Sequence, residues 1–292
     1  MGVDSSPHKI LRSAVTSFAA LLESGQPLLA LAPMQEVTDA AFWELVQQRG
    51  GADVYWTEYC RVHAVSCLEK WIVASVRANP TGRPVVAQMI GNDIPHLVRT
   101  ARQLEQLPVA AIDFNLGCPA PVVYKKCAGG GLLRDPQRVD AILGALRETV
   151  RIKFTVKTRL GFESAAAFAT LLPIFARHSL DLLTVHARTV TQGYGLPVHY
   201  DLIRRAAEMM DIPIHIYDSR SNSMSLGWQV LAAARAREAG GDAAAMITAA
   251  NQARQRMVYI IVLDTMDYLV KGGRIGGAVR FLGSLLKIKP QI

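Results

Sequence analysis

The sequence has few cysteines and no long apolar run, and each shortage excludes a class of protein. Four cysteines occur among 292 residues, with neither a C-x-x-C pair nor a zinc-like spacing. This argues against a disulfide scaffold and a structural zinc site, and it indicates a reducing, cytoplasmic compartment. No apolar run reaches about 18 residues, so no membrane span is predicted. No metal-binding residues are expected.

Acidic side chains are fewer than basic ones. Asp and Glu number 24 against 32 Lys and Arg, which gives a net charge of +8. Residues 213–292 carry ten basic against five acidic side chains, so much of the excess lies there. A positive excess suits a polyanionic partner such as RNA without identifying one. With 50% hydrophobic and 19% charged residues, the composition is that of an ordinary globular protein.

Short apolar runs alternate with amphipathic segments of helical length. The predicted strands are residues 28–34, 52–58, 83–90, 110–117, 151–161, 180–187 and 212–218, with 257–264 as an eighth candidate. The predicted helices are 39–50, 95–107, 136–150 and 165–178. Continuous apolar strands alternating with helices predict a parallel sheet covered on both faces. Seven such units in succession favour an α/β fold of the TIM (β/α)₈-barrel type over a doubly wound sheet.

In such a barrel the chemistry lies at the carboxyl ends of the strands. The residues at or just after these ends, in chain order, are Ala32, Pro33, Met34, Gln88, Asn115, Cys118, Lys157, Arg159, His186 and Arg188. All are predicted to face one mouth of the barrel.

Five motifs in this order resemble the tRNA-dihydrouridine synthases. They are LAPMQEVTDAAFW, VAQMIGND, DFNLGCPAPVVYKKCAGGGLL, VKTRLGF and VHARTVTQGYGLPVHYDLI, which together span about residues 28–211. The resemblance implies a TIM barrel that holds flavin mononucleotide (FMN) and takes electrons from NADPH or NADH. Its implied activity is an oxidoreductase reaction, the reduction of uridine in tRNA to 5,6-dihydrouridine.

The same resemblance implies a role for each matched residue. Cys118 would be the catalytic proton donor to C5 of the uracil, since a thiol with an ordinary pKa near ~8.5 stays largely protonated at neutral pH. Flavin contacts would come from Ala32, Pro33, Met34, Gln88, Asn115, Lys157 and His186. Arg159, Lys125 and Lys126 would contact the RNA substrate.

Several of these residues have a plainer interpretation. Cys60, Cys67 and Cys127 are predicted to be inert small side chains. Lys125 and Lys126 are as well explained as solvated surface residues. The three glycines at 129–131 lack the Lys-Ser/Thr that completes a phosphate-binding loop, so a tight turn is the better prediction.

The C-terminal part resembles a different family. IHIYDSRSNSMSLGWQVLAAARA and VLDTMDYLVKGGRIGGAVRFLGSLLKIKP are similar to DegV-type fatty-acid-binding proteins, over about residues 214–292. The chain is therefore interpreted as a hybrid, with residues 1–212 a flavin-type barrel portion and 213–292 a DegV-like segment. The barrel is then either incomplete or closed by a segment of foreign origin. Two alternatives to the tRNA-modifying enzyme stay open: a fatty-acid-binding module with the barrel as scaffold, and a hybrid without function.

Overall fold

The computed structural model describes residues 17–25, 28–192, 196–210, 217, 219–221 and 223–258. The chain divides into two compact units. The first comprises residues 1–158 and 173–184, and the second comprises 159–172 and 185–292. The expected domain boundary between residues 212 and 213 stays a prediction.

One sheet of six strands runs through the described residues. The strands are β1 (Ala30–Leu31), β2 (Val54–Arg61), β3 (Val85–Ile90), β4 (Ala111–Leu116), β5 (Lys153–Arg159) and β6 (Leu182–His186). They are neighbours in chain order, and the first five pair in parallel. This α/β arrangement confirms six predicted strands and is the order that a TIM-type barrel requires. Apart from Tyr217, the predicted strand 212–218 lies outside the described residues, as does most of 257–264.

The central strands are buried on both faces. Every residue of β3 and of β4 is buried. At the amino ends of the strands, Phe18 packs edge-on against Trp56, with ring centroids 6.2 Å apart, in a cluster that includes Val54, Val86 and Ala111. Apolar side chains thus fill the amino end of the sheet and leave its carboxyl end for polar residues, as the barrel interpretation requires.

Ten α-helices occur in the described residues. They are α1 (Phe18–Glu23), α2 (Ala40–Gln48), α3 (Lys70–Ala78), α4 (Ile94–Leu104), α5 (Pro121–Tyr124), α6 (Pro136–Thr149), α7 (Phe168–Arg177), α8 (Tyr200–Met210), α9 (Ser223–Glu238) and α10 (Ala243–Gln255). Short 3₁₀ helices cover Gly129–Arg134 and Ala165–Ala167. The four predicted helices correspond to α2, α4, α6 and α7. None of the described helices is long and apolar enough to cross a membrane.

Aspartates fix where several helices begin. Asp39, Asp93, Asp135 and Asp242 precede α2, α4, α6 and α10, and each carboxylate accepts the N–H of the residue three positions on, at 2.9–3.1 Å. This is the preferred N-cap arrangement, which satisfies an N–H that has no partner inside the helix. Each cap therefore fixes the residue at which its helix begins.

Candidate functional site

A network of side-chain hydrogen bonds joins β3 and β4 near their carboxyl ends. Gln88 and Asp113 are register partners on the two strands, and Gln88 Nε2 donates to Asp113 Oδ2 at 2.7 Å. Asn115 Nδ2 donates to Gln88 Oε1 at 2.8 Å. The three side chains are 1%, 1% and 8% exposed, respectively. Buried polar groups of this kind hold one another in a single orientation when all are partnered.

Asp113 is the anchor of this set. Burial raises its pKa, while hydrogen bonds from Thr155 and Gln88, the charge of Lys157 and a hydrogen bond from Trp56 oppose that rise. Thr155 Oγ1 donates to Asp113 Oδ1 at 2.5 Å. Lys157 lies on β5 as the register partner of Asn115. A buried carboxyl group surrounded by donors therefore fixes the Gln88 amide and carries the network across three strands.

The Cys118 loop is tied directly to that network. Asn115 Oδ1 accepts the backbone N–H groups of Gly117 and of Cys118, both at 3.0 Å. On the other side, the Cys118 carbonyl accepts the N–H of Gly130 at 3.2 Å. Cys118 itself is partly exposed. The loop thus presents a fixed, accessible thiol at the carboxyl end of β4.

Gly129 packs tightly beneath the thiol loop. Its φ is +52°, and a Cβ there would lie 2.8 Å from Ile90 Cδ1 and 3.0 Å from Cys118 Cβ. Glycine is needed here both for the backbone conformation and for the close approach. The glycine run, predicted to be a tight turn, begins a 3₁₀ helix at this residue.

Tyr59 lies on β2, the strand beside β3. Burial and then the proximity of Cys118 raise the pKa of Tyr59, against the charge of Arg61. Tyr59 also lines a cavity of about 540 Å³ together with Arg61, His63, Asn92 and Lys126. This cavity therefore lies at the end of β2, beside the segment that follows α5.

The other predicted residues of the first unit lie near strand or helix ends. Ala32 and Met34 are exposed and Pro33 is half-buried, and all three follow β1, two strands from β3. Thr38 accepts from Met34 N–H at 3.1 Å and donates to its carbonyl at 3.2 Å, which fixes this turn. Lys125 and Lys126 are exposed immediately after α5. Hydrogen bonds thus link Gln88, Asn115 and Cys118 directly, with Lys157 beside Asn115 in register.

Three of the residues predicted to face the mouth, Arg159, His186 and Arg188, belong to the second unit. Arg159 is 5% exposed, and its Nη1 donates to the Thr189 carbonyl at 2.9 Å. His186 Nε2 lies 3.3 Å from Arg188 Nη1. Arg159 is therefore held by the backbone of its own unit.

Sequence reasoning missed Asp113. Asp113 had a readable signal, because a single acidic residue inside the apolar run AAIDFNLG has to be partnered where it is buried.

A model of the dihydrouridine synthase family matches residues 30–217. The chain belongs to the dihydrouridine synthase family. Similar curated proteins include a tRNA-dihydrouridine(16) synthase of Neisseria meningitidis serogroup A, 32% identical over 194 residues, which cover 64% of this chain and 58% of the relative. Another from Cupriavidus necator is 33% identical, covering 64% and 60%. A probable tRNA-dihydrouridine synthase of Rickettsia prowazekii is 34% identical, covering 63% and 57%.

The match does not extend over whole relatives. The chain spans about three-fifths of the length of these synthases. A model described as an uncharacterised protein of the DegV family matches residues 189–292, so the two matches overlap at 189–217. Both expected resemblances are thereby confirmed. Among solved structures, the carboxyl transferase domain of Rhizobium etli pyruvate carboxylase matches 56% of this chain at 18% identity and a TM-score of 0.40. This similarity is too low to indicate a relationship.

The first unit contains side chains of the kinds that a flavin ring needs. A flavin needs an apolar surface, hydrogen-bonding groups for its polar edge and a cation near the atoms that gain charge on reduction. Met34 is an exposed apolar side chain, 44% accessible, and Lys157 is a partly exposed cation. Gln88 uses one of its two amide hydrogens on Asp113.

Proposed function

We propose that this chain reduces uridine in tRNA to 5,6-dihydrouridine, with FMN as cofactor and NADPH or NADH as reductant. The observation that carries the proposal is the fixed Cys118 loop, held by Asn115, which is bonded in turn to Gln88 and Asp113. A partly exposed thiol on a rigid loop, at the carboxyl end of a strand in a dihydrouridine synthase, is suited to donate a proton.

Cys118 is the proton donor in this proposal. A flavin supplies hydride to C6 of the uracil ring when it is bound and reduced, and the base then needs a proton at C5. The Cys118 S–H bond breaks, a C5–H bond forms, and a thiolate is left on the enzyme. Asn115 keeps the loop in place through its two backbone contacts while the proton moves.

The other residues singled out from the sequence would hold the cofactor and the RNA. Met34, with Ala32 and Pro33, would line the apolar side of the ring, and Gln88 would meet its polar edge. Lys157 would supply positive charge, and His186 would add a contact from β6. The exposed Lys125 and Lys126, with Arg159, would bind the RNA.

Replacing Cys118 by alanine tests the proposal. Uridine reduction should slow by about 10²–10⁴-fold, which is the usual contribution of a general acid, whereas FMN should be retained after desalting. Cys127→Ala is the matched control, because Cys127 is an exposed thiol nine residues further along the same segment. The assay follows dihydrouridine formed in tRNA, together with the flavin absorbance bands of the desalted protein. Equal turnover by the Cys118 and Cys127 variants would exclude Cys118 as the acid.

Fatty-acid binding stays a prediction. The segment whose resemblance suggested it spans about residues 214–292, and its last part, residues 259–292, lies outside the described part of the chain. A wild-type protein that takes up no FMN and forms no dihydrouridine would contradict the proposed function. Fatty acid that co-purifies with such a protein would then favour the alternative.

A further inference from the structure

A β-bulge in β2 places an aromatic ring and a cation at the carboxyl end of the sheet. Three steps on β2, from Trp56 to Tyr59, match two steps on β3, which brings Tyr59 into register with Gln88. Side chains alternate along a strand, so regular pairing would place Glu58, not Tyr59, on the face that carries Gln88. The extra residue brings Tyr59 to that face, and Arg61 follows it two residues on. Bulges often redirect side chains in this way next to active sites.

The bulge is stabilised by its own hydrogen bonds. Thr57 Oγ1 accepts the backbone N–H of Gln88 at 3.0 Å, and its hydroxyl donates to the Glu58 carbonyl at 2.7 Å. Glu58 Oε1 accepts the N–H of Val37 at 3.1 Å. The Glu58 carboxylate is thereby held at the turn after β1, and the orientation of Tyr59 is set by the fold.

Tyr59 and Arg61 both line the cavity of about 540 Å³ at the end of β2. The apolar part of its wall comes from the ends of β2 and β3 and from α5, and consists of Val62, Ile90, Val122 and Val123. Its volume lies within the range of about 300–1,000 Å³ that small-molecule sites occupy. The cavity can therefore hold one nucleotide.

The cavity adjoins the Cys118 loop across Gly129. A Cβ built on Gly129 would lie 2.8 Å from Ile90 Cδ1, 3.0 Å from Cys118 Cβ and 3.1 Å from Val123 Cγ1. Ile90 and Val123 line the cavity, so only this glycine separates its wall from the thiol loop. Ile90 also follows Gln88 by two residues on β3 and shares its face. A ligand in the cavity would therefore lie beside both the thiol loop and the Gln88 network.

The charge around the cavity is positive. The basic side chains that line it are Arg61, His63 and Lys126. Among the described residues of its wall there is no Asp or Glu. Arg61 also lines a second pocket, of about 480 Å³, which contains Glu36, Asp39 and Glu58. An anion is thus attracted to the first cavity and repelled by the second.

Hydrogen bonds from outside the cavity hold its walls in place. Arg138 of α6 donates from Nη2 to the Asn92 carbonyl at 2.8 Å, and Asn92 Nδ2 donates to the Lys126 carbonyl at 2.8 Å. Arg99 of α4 donates from Nη2 to the His63 carbonyl at 3.0 Å. The segments that carry His63 and Lys126 are therefore fixed before a ligand arrives, which lowers the cost of binding.

Tyr59 and Arg61 form a surface on which a base can stack. The guanidinium carbon of Arg61 lies 6.0 Å from the centre of the Tyr59 ring, and Tyr59 is only half-buried. Proteins that bind single-stranded nucleic acid combine aromatic side chains, on which bases stack, with a positively charged groove that follows the backbone. Both features meet in this cavity.

We propose that this cavity is a subsite for one nucleotide of the RNA strand, adjacent to the uridine that is reduced. The base packs on the Tyr59 ring and on the apolar wall. Arg61, His63 and Lys126 bind its phosphate. The choice of RNA as the ligand rests on the proposed function, whereas the capacity of the cavity for a nucleotide does not. A nucleotide bound here fixes the strand beside the Cys118 loop.

The first measurement is the affinity for a fluorescein-labelled single-stranded oligouridylate, by fluorescence anisotropy, with FMN present and no nicotinamide cofactor. Tyr59→Leu removes the aromatic ring and should weaken binding about 5- to 150-fold, the usual contribution of one stacked base. Tyr59→Phe keeps the ring and should bind within about twofold of the wild type. Equal affinities of the two variants would show that no base stacks here, and the inference would be wrong.

The second measurement is the salt dependence of the same binding. Each phosphate neutralised on a single strand contributes about −0.7 to the slope of log K against log salt, so Lys126→Gln should make the slope shallower by about 0.7. Arg102→Gln on α4 is the matched control, because Arg102 is exposed and lies outside the wall of the cavity, and it should keep the wild-type slope. Lys126 is exposed, so its variant also tests the site if Tyr59→Leu fails to fold. The same slope in Lys126→Gln and Arg102→Gln would refute phosphate binding in the cavity.

The nicotinamide cofactor also carries bases and phosphates, so a third measurement separates the two ligands. The rate at which NADPH reduces FMN bound to the protein, followed by the loss of flavin absorbance, should be the same in the wild type, Tyr59→Leu and Lys126→Gln. Slower reduction in these variants, with unchanged RNA binding, would assign the cavity to the nicotinamide cofactor and overturn the inference.

The outcome for the subsite can be distinguished from the outcome for the proposed function. Weakened RNA binding by Tyr59→Leu and Lys126→Gln, in a chain that forms no dihydrouridine, would support the subsite and refute the activity. Dihydrouridine formation together with unchanged RNA binding by both variants would refute the subsite alone. Where both hold, Lys126→Gln should raise KM for tRNA with little change in kcat, because it removes binding that is equal in the ground state and the transition state.

Discussion

Strand β4 and helix α9 both bury polar side chains, but β4 also buries its apolar side chains, whereas α9 leaves several of its own exposed. In β4, Asp113 is buried on one face and Ile112 and Phe114 are fully buried on the other. In α9, Gln229 is 1% exposed while Trp228 is 49% exposed. Leu226, Val230 and Leu231 are likewise 39–48% exposed. The strand has both of its faces packed, whereas the helix packs a polar stripe and leaves several large apolar side chains exposed.

The difference shows what each element needs in order to form. A strand in a parallel sheet is stable only when neighbouring strands and helices cover it, and β4 is covered in this way. Helix α9 is rich in alanine and packs against α10. The short connection between the two helices contains Gly240, at φ +85°. Its buried stripe is held by Tyr217 and Ser221, which bond Gln229 at 2.7 and 3.0 Å. Local interactions are therefore enough to stabilise α9, and its large apolar side chains remain exposed.

The largest expected effect comes from breaking the polar network of β4. Asp113→Asn places an amide donor where Gln88 and Thr155 donate, so the free energy of unfolding should fall by about 2–4 kcal/mol. Burial raises the pKa of the folded-state carboxyl above its unfolded value. Its contribution is therefore greatest below about pH 4 and is lost as the pH rises through the folded-state value. Urea unfolding at several pH values measures this, with the exposed Asp201→Asn as control.

A smaller effect is expected beneath the thiol loop. Gly129→Ala strains a left-handed backbone and drives a methyl group into Ile90, and should cost about 1–3 kcal/mol. Gly82→Ala is a matched control, since Gly82 has φ +63° and open space at the Cβ position. The difference in urea midpoint between the two variants isolates the steric part. Equal losses in both would show that the loop yields and that Cys118 is not held as tightly as its contacts indicate.

The smallest effect on stability is expected in α9. Trp228→Glu with Leu231→Glu removes exposed apolar surface and should change the free energy of unfolding by roughly 0.5 kcal/mol or less. Binding of a hydrophobic dye should fall, because large exposed apolar patches are what such dyes and other proteins bind. A large loss of stability would mean that these side chains are packed in solution, which would remove the contrast with β4.

The sequence predicted the strands better than it predicted the site. Apolar runs bounded by helical segments located six strands, because burial on both faces leaves a strong compositional signal. The site needed information about which side chains meet. Gln88 was expected to contact a flavin, and in the structure it is also bonded to Asp113 and Asn115, a cross-strand relation that depends on register. The bulge in β2, where three steps from Trp56 to Tyr59 match two from Val86 to Gln88, could not be predicted from any residue type.

The bulge in β2 also affects how this strand should be compared with its relatives. One additional residue at Thr57–Glu58 exchanges the two faces for everything that follows it in the strand. Pairing β2 position by position with a relative that has a regular strand would match Tyr59 to a residue facing the opposite way. A gap of one position there restores equivalence by orientation, so that Tyr59 and Arg61 are compared with residues that face the same side.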